Sequence, residues 1–386
     1  IEGNGYLKEL VETAAKLEGV ARNAGTHAAG VIITDRPITD YIPLHRPTKG
    51  SPEDSPVRAV TQFEMGVLES LGLLKIDYLG LSTLTVMARA CDLIRRRHAV
   101  ELDIDSIPLD DPKTFELLGS GNVLGVFQVE GAGMRRHLVD MKPSKLAQVT
   151  AMVALYRPGP MEFIPAYIRR MHGAEAVTYR HPALKPILEE TYGITVYQEQ
   201  IMYTAMQLAG YSAAEADNLR QAVAKKKAGA LRQQRKKFVQ GAVTNRIPDD
   251  TANAIFDDWE AFARYGFPKG HAADYAVICV QTAYLKANYP IEYMTALLSV
   301  FKSVTDRVAL YSAECRRMGL EVLPPEVGAS GLDFEIEDRP PAAPAVRFGL
   351  GAIKNVGQGA VETILAARAA GPFADLEDFA RRVDLR

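Results

Sequence analysis

The stretch LLKIDYLGLSTLTVMARACDLIRRR, residues 73–97, marks the point where the chain changes its type of secondary structure. Its first part alternates like a strand, with apolar side chains on one face and Lys75 and Asp77 on the other. Its second part, residues 83–97, has helical spacing and ends on three arginines, which suit the negative end of a helix dipole. We therefore expect strands before this stretch and helices after it.

The rest of the chain follows the same division. Upstream, the pattern predicts a helix over 5–18 and strands over 31–34 and 57–63. Downstream, strands are expected only at 123–129 and 334–337. The predicted downstream helices are 144–155, 198–209, 213–227, 229–243, 250–264, 273–288, 291–301 and 305–318. The sequence thus predicts an α+β, multidomain chain that is mainly helical.

The composition excludes several classes of protein. A chain of 386 residues with 47% hydrophobic side chains can bury more than one core and is not disordered. It contains no run of about 18 uncharged apolar residues, so we expect no helix that spans a membrane and no membrane partner. Three distant cysteines make no disulfide framework, which indicates a reducing, cytoplasmic location. Five prolines within 324–345 predict a linker before a small unit at 346–386.

The formal net charge of −2 hides a strong segregation of charge. Residues 217–246 carry nine basic side chains and one acid, which leaves a net charge of −10 on the remainder. The basic residues that matter most here are Arg220, Lys225, Lys226, Lys227, Arg232, Arg235, Lys236 and Lys237. Such a density of cations can neutralise phosphates. The alternative is a solvated helix face, but such faces normally interleave acids with bases.

Two further motifs suit anions. In YGFPKGHAADYA (265–276), Lys269 and His271 come just before a predicted helix, whose N-terminus attracts phosphate. They could hold a triphosphate or protonate a pyrophosphate leaving group, although an ordinary loop histidine is the alternative. Arg157 lies on a rigid Pro-Gly-Pro turn, which suits a phosphate contact. Gln198, Glu199 and Gln200 open a helix, where capping is the simpler role.

The sequence offers one candidate metal ligand. Asp77 ends a strand, a common place for a metal-binding carboxylate. Two-metal phosphoryl transfer needs at least two carboxylates about 4 Å apart, so Asp77 alone is not enough. Asp103 and Asp105 form the nearest D-x-D, but the polar, proline-flanked context indicates a solvated loop.

A glycine-rich segment follows at residues 347–368. Gly357 and Gly359 precede a predicted helix, and the pattern resembles a helix-hairpin-helix unit. In such a unit, backbone amides grip a phosphate without reading the bases. A glycine-rich corner between helices, with no ligand, is the alternative.

Seven motifs together carry a resemblance to a known family. They are NAGTHAAGVII (23–33), LLKIDYLGL (73–81), VFQVEGAGM (126–134), ALYRPGPM (154–161), YGITVYQEQIM (192–202), ADNLRQAVAKKK (216–227) and YGFPKGHAADYA (265–276). In this order they resemble the bacterial C-family replicative polymerases, the family of DNA polymerase III alpha subunits. The resemblance extends over nearly the whole chain.

This resemblance implies a fold and a division into domains. It implies a small part of a polymerase-beta-like palm sheet, followed by a large, mainly helical fingers region and a helix-hairpin-helix unit. The expected domains are the end of the thumb (1–30), the C-terminal part of the palm (31–82), the fingers (83–323), a linker (324–345) and the start of the duplex- and clamp-binding region (346–386).

The resemblance also implies roles for individual residues. Asp77 is the expected third palm carboxylate and metal ligand, and Lys75 is its catalytic neighbour. The nucleotide-binding residues would be Arg220, Lys225, Lys226, Lys227, Lys269 and His271. The DNA-binding residues would be Arg157, Arg232, Arg235, Lys236, Lys237, Gly357 and Gly359. Two Mg²⁺ ions are implied, with only one of their three carboxylates in this sequence.

The implied activity is template-directed DNA synthesis from deoxynucleoside triphosphates on primer–template DNA. The sliding clamp and other replisome subunits would bind through regions outside this sequence. The family's paired aspartates and Gly-Ser phosphate loop are expected upstream of Ile1, so we expect this piece alone to be inactive. Two alternatives stay open: a non-catalytic nucleic-acid-binding module, and the error-prone lesion-bypass paralogue of the same family.

Overall fold

A computed structural model of the chain describes residues 5–20, 25–27, 29–47, 58–225, 228–262 and 266–383. The chain divides into two compact units, Ile1–Leu81 and Ser82–Arg386, and each is described by itself. Both the α+β class and the change from strands to helices after residue 81 are confirmed.

The first unit contains short strands and two helices. Its elements in chain order are α1 (Gly5–Leu17), β1 (Gly30–Ile33), β2 (Leu44–His45), β3 (Val60–Thr61), α2 (Met65–Ser70) and β4 (Leu74–Asp77). Strand β1 pairs antiparallel with β4, and Gly30 lies opposite Asp77. A second antiparallel pair joins β2 to β3. The strand predicted over 57–63 is therefore shorter in the part that the structure describes.

The second unit is mainly helical. Its helices are α3 (Ser82–His98), α4 (Pro112–Ser120), α5 (Ala132–Met141), α6 (Leu146–Leu155), α7 (Ile164–Met171), α8 (Lys185–Leu188), α9 (Gln198–Ala209), α10 (Ala213–Lys225), α11 (Ala228–Thr244), α12 (Asp249–Phe262), α13 (Lys269–Asn288), α14 (Pro290–Val300), α15 (Thr305–Arg317), α16 (Gln358–Ala369) and α17 (Leu376–Arg382). Strands β5 (Val322–Leu323), β6 (Glu335–Arg339) and β7 (Ala342–Arg347) form a sheet in the order β5-β7-β6.

Local sequence explains several helix ends. Ser212 and Glu215 form the predicted capping box, in which each side chain accepts the other residue's backbone N–H (3.3 and 2.9 Å). Pro290 begins α14, where its fixed φ suits the first helical position. Gly319 follows α15 with φ of +77°, a conformation that terminates a helix.

Helix α13 is central to the second unit. Its side chains contribute to a core with α4, α5 and α6, in which Ala272, Ala276, Cys279 and Val280 are buried. Helices α9 to α12 build a second core around Phe238, Phe256 and Trp259. A third core joins α3 and α14 to the sheet.

The strand predicted over 123–129 is wrong, because this segment forms turns. Its apolar residues Val123, Val126 and Val129 are all buried, and their spacing of three directs them to one side of successive turns. Gly125 and Gln128 have positive φ, which a strand excludes. An apolar run therefore predicted burial correctly and the backbone conformation incorrectly.

The proline-rich segment 324–345 contains more regular structure than the sequence predicts. One short strand was expected, but β6 and most of β7 fall within it and form an antiparallel pair. Phe334 is buried, and its carbonyl accepts a hydrogen bond from Ser299 on α14. Pro340 and Pro341 lie in the connection between the strands, where a missing N–H costs no ladder hydrogen bond.

Candidate functional site

The start of α13 is attached to the start of α9. The N–H of Gln198 donates to the carbonyl of Phe267 (3.0 Å), and the Gln198 side-chain amide donates to the carbonyl of Gly266 (2.9 Å). Pro268 then precedes the helix with an extended backbone (φ −63°, ψ 124°). The segment 266–271 is therefore held in one position beside residues 197–200.

Two arginines from other motifs meet this segment. Arg220 on α10 donates to the Gln198 side chain (3.1 Å) and pairs with Asp217 (2.8 Å). The Arg157 guanidinium lies 4.3 Å from the centre of the Phe267 ring, a favourable cation–π geometry. Burial lowers the pKa of Arg157 from its ordinary value. Thus two predicted phosphate ligands lie around the start of α13, oriented by polar and aromatic contacts.

Lys269, the first residue of α13, is bound by two carboxylates. Its ammonium group contacts both oxygens of Glu190 (2.7 and 2.8 Å). Its backbone N–H donates to both oxygens of Glu199 (3.0 and 2.9 Å). These groups line an open pocket of about 700 Å³ together with Gln200 and Tyr203. The helix N-terminus thus already binds an anion from its own chain.

Of the residues that open α9, Gln200 has the expected capping role, whereas Gln198 and Glu199 also contact the start of α13. The Gln200 side chain caps α9, since its oxygen accepts from the N–H groups of Val196 (2.8 Å) and Tyr197 (3.0 Å). Glu199 lies in the first turn of α9, where its charge suits that helix dipole, and it also accepts the N–H of Lys269 at the start of α13. Glu190 was not among the candidate residues, because nothing in its local sequence marks it.

His271 is exposed and belongs to a row of aromatic rings. Its ring centre lies 5.2 Å from that of Phe267 and 4.3 Å from that of Tyr275. Tyr275 in turn lies 5.2 Å from Phe127. Aromatic faces of this kind can stack with bases. The predicted site residues Arg157, Arg220, Lys269 and His271 therefore lie around a single helix start.

The basic surface on α11 is less uniform than its sequence indicates. Arg235 pairs with Asp257 (2.6 Å) and Glu260 (3.2 Å) on α12, and Lys237 pairs with Glu215 in the first turn of α10. Hydrogen bonds from Lys237 and Ser212 lower the pKa of Glu215 to about 2. The acidic partners that the local sequence lacks are therefore supplied to these cations by neighbouring helices.

Two exposed cations on α11 lack an internal acidic partner among the described residues. Arg232 and Lys236 are one helical turn apart and have no ion-pair partner among the described residues. They line an open pocket with Val239, Val243 and Asn253. Lys226, Lys227 and the side chain of Lys225 lie outside the described residues. The cations that can accept a phosphate without first losing a carboxylate are therefore fewer than the sequence predicts.

In the first unit, three side chains gather at the end of β4. Lys75 contacts Asp77 Oδ1 at 2.8 Å, and His27 Nε2 lies 3.9 Å from the same oxygen. The N–H of Ala29 donates to His27 Nδ1 (3.1 Å), so the other ring nitrogen carries the proton and faces Asp77. A Cβ at Gly30 would lie 2.7 Å from Lys75 Cε and 2.9 Å from His27 Nδ1. A side chain at position 30 would therefore displace Lys75 or His27 from this arrangement.

His27 and Gly30 were absent from the candidate residues, although both lie in the motif at 23–33. That motif is itself the sequence signal that could have identified them. Within the described ranges, no three acidic, histidine or cysteine side chains are grouped to hold a metal ion. Asp103 caps a short turn by accepting the N–H of Asp105, which agrees with the predicted loop.

The glycine-rich end forms the two helices α16 and α17. Gly357 precedes α16 and Gly359 lies in its first turn. A Cβ at either position would meet no heavy atom within 4 Å. Leu350, Val361, Ile364 and Val383 form a small core beneath them. The glycines therefore leave an open backbone at the helix start.

Three family models match consecutive parts of this sequence. Residues 83–246 match the bacterial DNA polymerase III alpha subunit finger domain, and residues 1–80 match the bacterial DNA polymerase III alpha NTPase domain. Residues 319–386 match a helix-hairpin-helix motif. The chain belongs to the family of bacterial DNA polymerase III alpha subunits.

Individual relatives match over almost the whole chain. The DNA polymerase III subunit alpha of Thermus aquaticus is 49% identical over 99% of this chain and 31% of the relative. The Caulobacter vibrioides and Bacillus subtilis subunits are 46% and 45% identical, each over 98% of this chain and 32% and 33% of their own length. The chain therefore spans about a third of the curated relatives it matches. None of the described helices has the length and apolar character needed to cross a membrane.

Proposed function

We propose that this chain forms part of a bacterial replicative DNA polymerase, which extends a primer on a DNA template. The observation that carries the proposal is the convergence of four side chains from three motifs, Arg157, Arg220, Lys269 and His271, on the start of α13. Membership of the DNA polymerase III alpha family gives this cluster its proposed ligand, a deoxynucleoside triphosphate.

The proposed reaction transfers a nucleotide to the primer. The primer 3′-oxygen loses its proton and forms a bond to the α-phosphorus, while the bond from that phosphorus to the pyrophosphate oxygen breaks. Arg220 and Lys269 offset the charge on the triphosphate, and His271 supplies a hydrogen bond or a proton to the leaving pyrophosphate. The aromatic row beside His271 offers an apolar face to the base.

We propose that the two units supply different parts of this activity. Strands β1 and β4 belong to a polymerase-beta-like palm over residues 31–82, after the end of the thumb at 1–30. Asp77 is its metal ligand and Lys75 orients that ligand. Residues 83–323 are the fingers, and 324–345 connect them to the helix-hairpin-helix region at 346–386.

The cluster at Asp77 suits part of a metal centre. Lys75 and His27 both face Oδ1, and no ion-pair partner among the described residues engages Oδ2, so that oxygen is open to a cation. Two Mg²⁺ ions would stabilise the attacking and leaving oxygens. One carboxylate does not make a two-metal centre, so the described part of the chain holds one ligand of the proposed set.

We further propose that primer–template DNA binds to the cations of α11 and to the glycine-rich start of α16. Arg232, Arg235, Lys236 and Lys237 would contact phosphates, as would Arg157 and the amides near Gly357 and Gly359. The intact protein would reach the sliding clamp and other replisome subunits through other regions. Its proposed place of action is the bacterial chromosome in the cytoplasm.

The experiment that tests this function is Asp77→Asn in the full-length protein. We expect primer extension to fall by orders of magnitude while primer–template affinity stays within about twofold, because the charge is lost at the reacting centre and not on the DNA surface. Asp103→Asn is the matched control, since Asp103 only caps a turn. Near-normal extension by Asp77→Asn would reject the catalytic assignment.

A further inference from the structure

The start of α13 carries two carboxylates where the proposed function puts phosphate. Both oxygens of Glu190 contact the Lys269 ammonium group, and both oxygens of Glu199 accept the Lys269 N–H. Glu190 lies in the short turn before α9 and Glu199 in the first turn of α9, both far from Lys269 in sequence. The cation and the helix N-terminus of the proposed nucleotide site are therefore both occupied by the protein's own anions.

The two carboxylates differ in how easily a ligand could replace them. The Lys269–Glu190 pair faces an open pocket, with side chains 44% and 38% exposed. Exposed pairs of this kind contribute little net free energy, because water solvates both charges when they separate. Glu199 is held differently, since it accepts a backbone N–H at a helix N-terminus and lies half-buried. Glu190 is the exchangeable partner of Lys269.

A nucleotide triphosphate has several groups with which to displace Glu190. In the proposed function it contacts Arg220 as well as Lys269, whereas the hydrogen bonds of Glu190 are to Lys269. A smaller anion that reaches only Lys269 must compete with a carboxylate already in place. After the reaction, the same carboxylate can return to Lys269 and displace pyrophosphate.

We infer that Glu190 is a specificity residue, an internal carboxylate that competes with the phosphates of the nucleotide for Lys269. It weakens the binding of every anion at Lys269 and thereby favours ligands that make further contacts. It also assists the release of pyrophosphate. This inference rests on the proposed function, because it takes the nucleotide as the ligand of Lys269.

The test is Glu190→Gln in the full-length polymerase, since glutamine keeps the shape and loses the charge. We expect the dissociation constant for the incoming nucleotide, from single-turnover primer extension, to fall about two- to fivefold. Inhibition by added pyrophosphate should strengthen by a similar factor, and Glu190→Ala should shift both in the same direction. The matched control is Glu175→Gln, which loses pairs with Arg169 and Arg170 away from this pocket and should change neither constant.

A double variant identifies the group through which Glu190 acts. In a Lys269→Met background, Glu190→Gln should change nucleotide affinity by less than about 1.5-fold, because the ammonium group for which Glu190 competes is absent. If Glu190→Gln has its full effect in that background, the competition is not for Lys269 and the inference is overturned. Unchanged or weaker nucleotide binding by Glu190→Gln in the otherwise normal protein overturns it as well.

Failure of the inference and failure of the proposed function give different results. If Lys269→Met alone leaves nucleotide affinity unchanged, Lys269 does not contact the nucleotide, and the assignment on which the inference rests is rejected. If Lys269→Met weakens nucleotide binding but Glu190→Gln does not strengthen it, the proposed function stands and only the role of Glu190 is rejected.

Discussion

Helix α13 carries a lysine–glutamate pair at each end, and the two pairs differ in burial. At its start, Lys269 and Glu190 are 44% and 38% exposed. Near its end, Lys286 and Glu314 are 0% and 3% exposed, with 2.6 Å between Nζ and Oε1. The same chemical pair can therefore serve as an exchangeable contact in water or as a fixed contact in the core.

The buried pair is part of a larger polar network. Lys286 also donates to the carbonyls of Asn122 (2.8 Å) and Leu124 (2.7 Å), and Arg317 donates to Glu314. Burial lowers the pKa of Lys286, and its hydrogen bond to Glu314 opposes that shift. For Glu314, burial raises the pKa, but hydrogen bonds from Arg317 and Lys286 outweigh it and leave the pKa below its ordinary value. This network holds the turns at 122–124 against α13 and α15.

The largest expected effect on stability comes from breaking the buried pair. Lys286→Met leaves Glu314 and two carbonyls without their ammonium partner, so we expect the free energy of unfolding to fall by about 3–5 kcal/mol. Chemical denaturation measures this change. Replacing both partners, as in Lys286→Met with Glu314→Leu, should recover much of the loss. A single variant within 1 kcal/mol of the original protein would contradict the structural role of the pair.

A smaller effect should appear in acid. The folded pKa of Glu314 lies below that of the unfolded carboxyl, which is about 4.3. Its contribution to stability is therefore complete above that value and is lost as the pH falls through the folded pKa. Arg317→Ala removes two hydrogen bonds that lower this pKa, so stability should decline at a higher pH and be lower by about 1–3 kcal/mol at pH 7. Denaturation at a series of pH values tests this prediction. If stability declines at the same acidic pH in the variant and in the original protein, the prediction is contradicted.

The cations of α11 allow a similar comparison between paired and unpaired groups. Arg232→Ala with Lys236→Ala should reduce the salt dependence of primer–template affinity by up to about two phosphate contacts, because these cations meet no internal carboxylate among the described residues. Affinity measured at several salt concentrations gives this slope.

The control for that slope is Arg235→Ala with Lys237→Ala, two cations that are already paired. It removes the same charge from the same helix and should reduce the slope by less. Equal slopes for the two double variants would show that internal pairing does not decide which cations bind DNA.

The smallest expected effect is on the stability of the exposed pair at the start of α13. Lys269→Met should change the free energy of unfolding by less than about 1 kcal/mol, since both charges stay solvated when they separate. The same denaturation measurement applies. A loss above 2 kcal/mol would mean that this pair is structural and would remove the contrast with Lys286.

Much of the fold could be predicted because its causes are local. Helix α9 has the predicted bounds, 198–209, and α14 and α15 begin within a residue of prediction. Capping residues, prolines and helical spacing act within a few positions, so they can be recognised in the sequence. The turns at 123–129 and the paired strands β6 and β7 were harder to predict, because a buried apolar run does not reveal its backbone conformation.

For the candidate site, too, the local features could be predicted from the sequence and the contacts between distant residues could not. The sequence by itself determined which cations exist, where they cluster along the chain and, through seven motifs, to which family the chain belongs. Only the tertiary structure decided which cations are engaged by acids, since Glu190 and Lys269 are 79 positions apart and Arg235 meets Asp257 and Glu260 on another helix. Ion pairs form between groups that are near in space, and packing of helices, not local sequence, sets those distances.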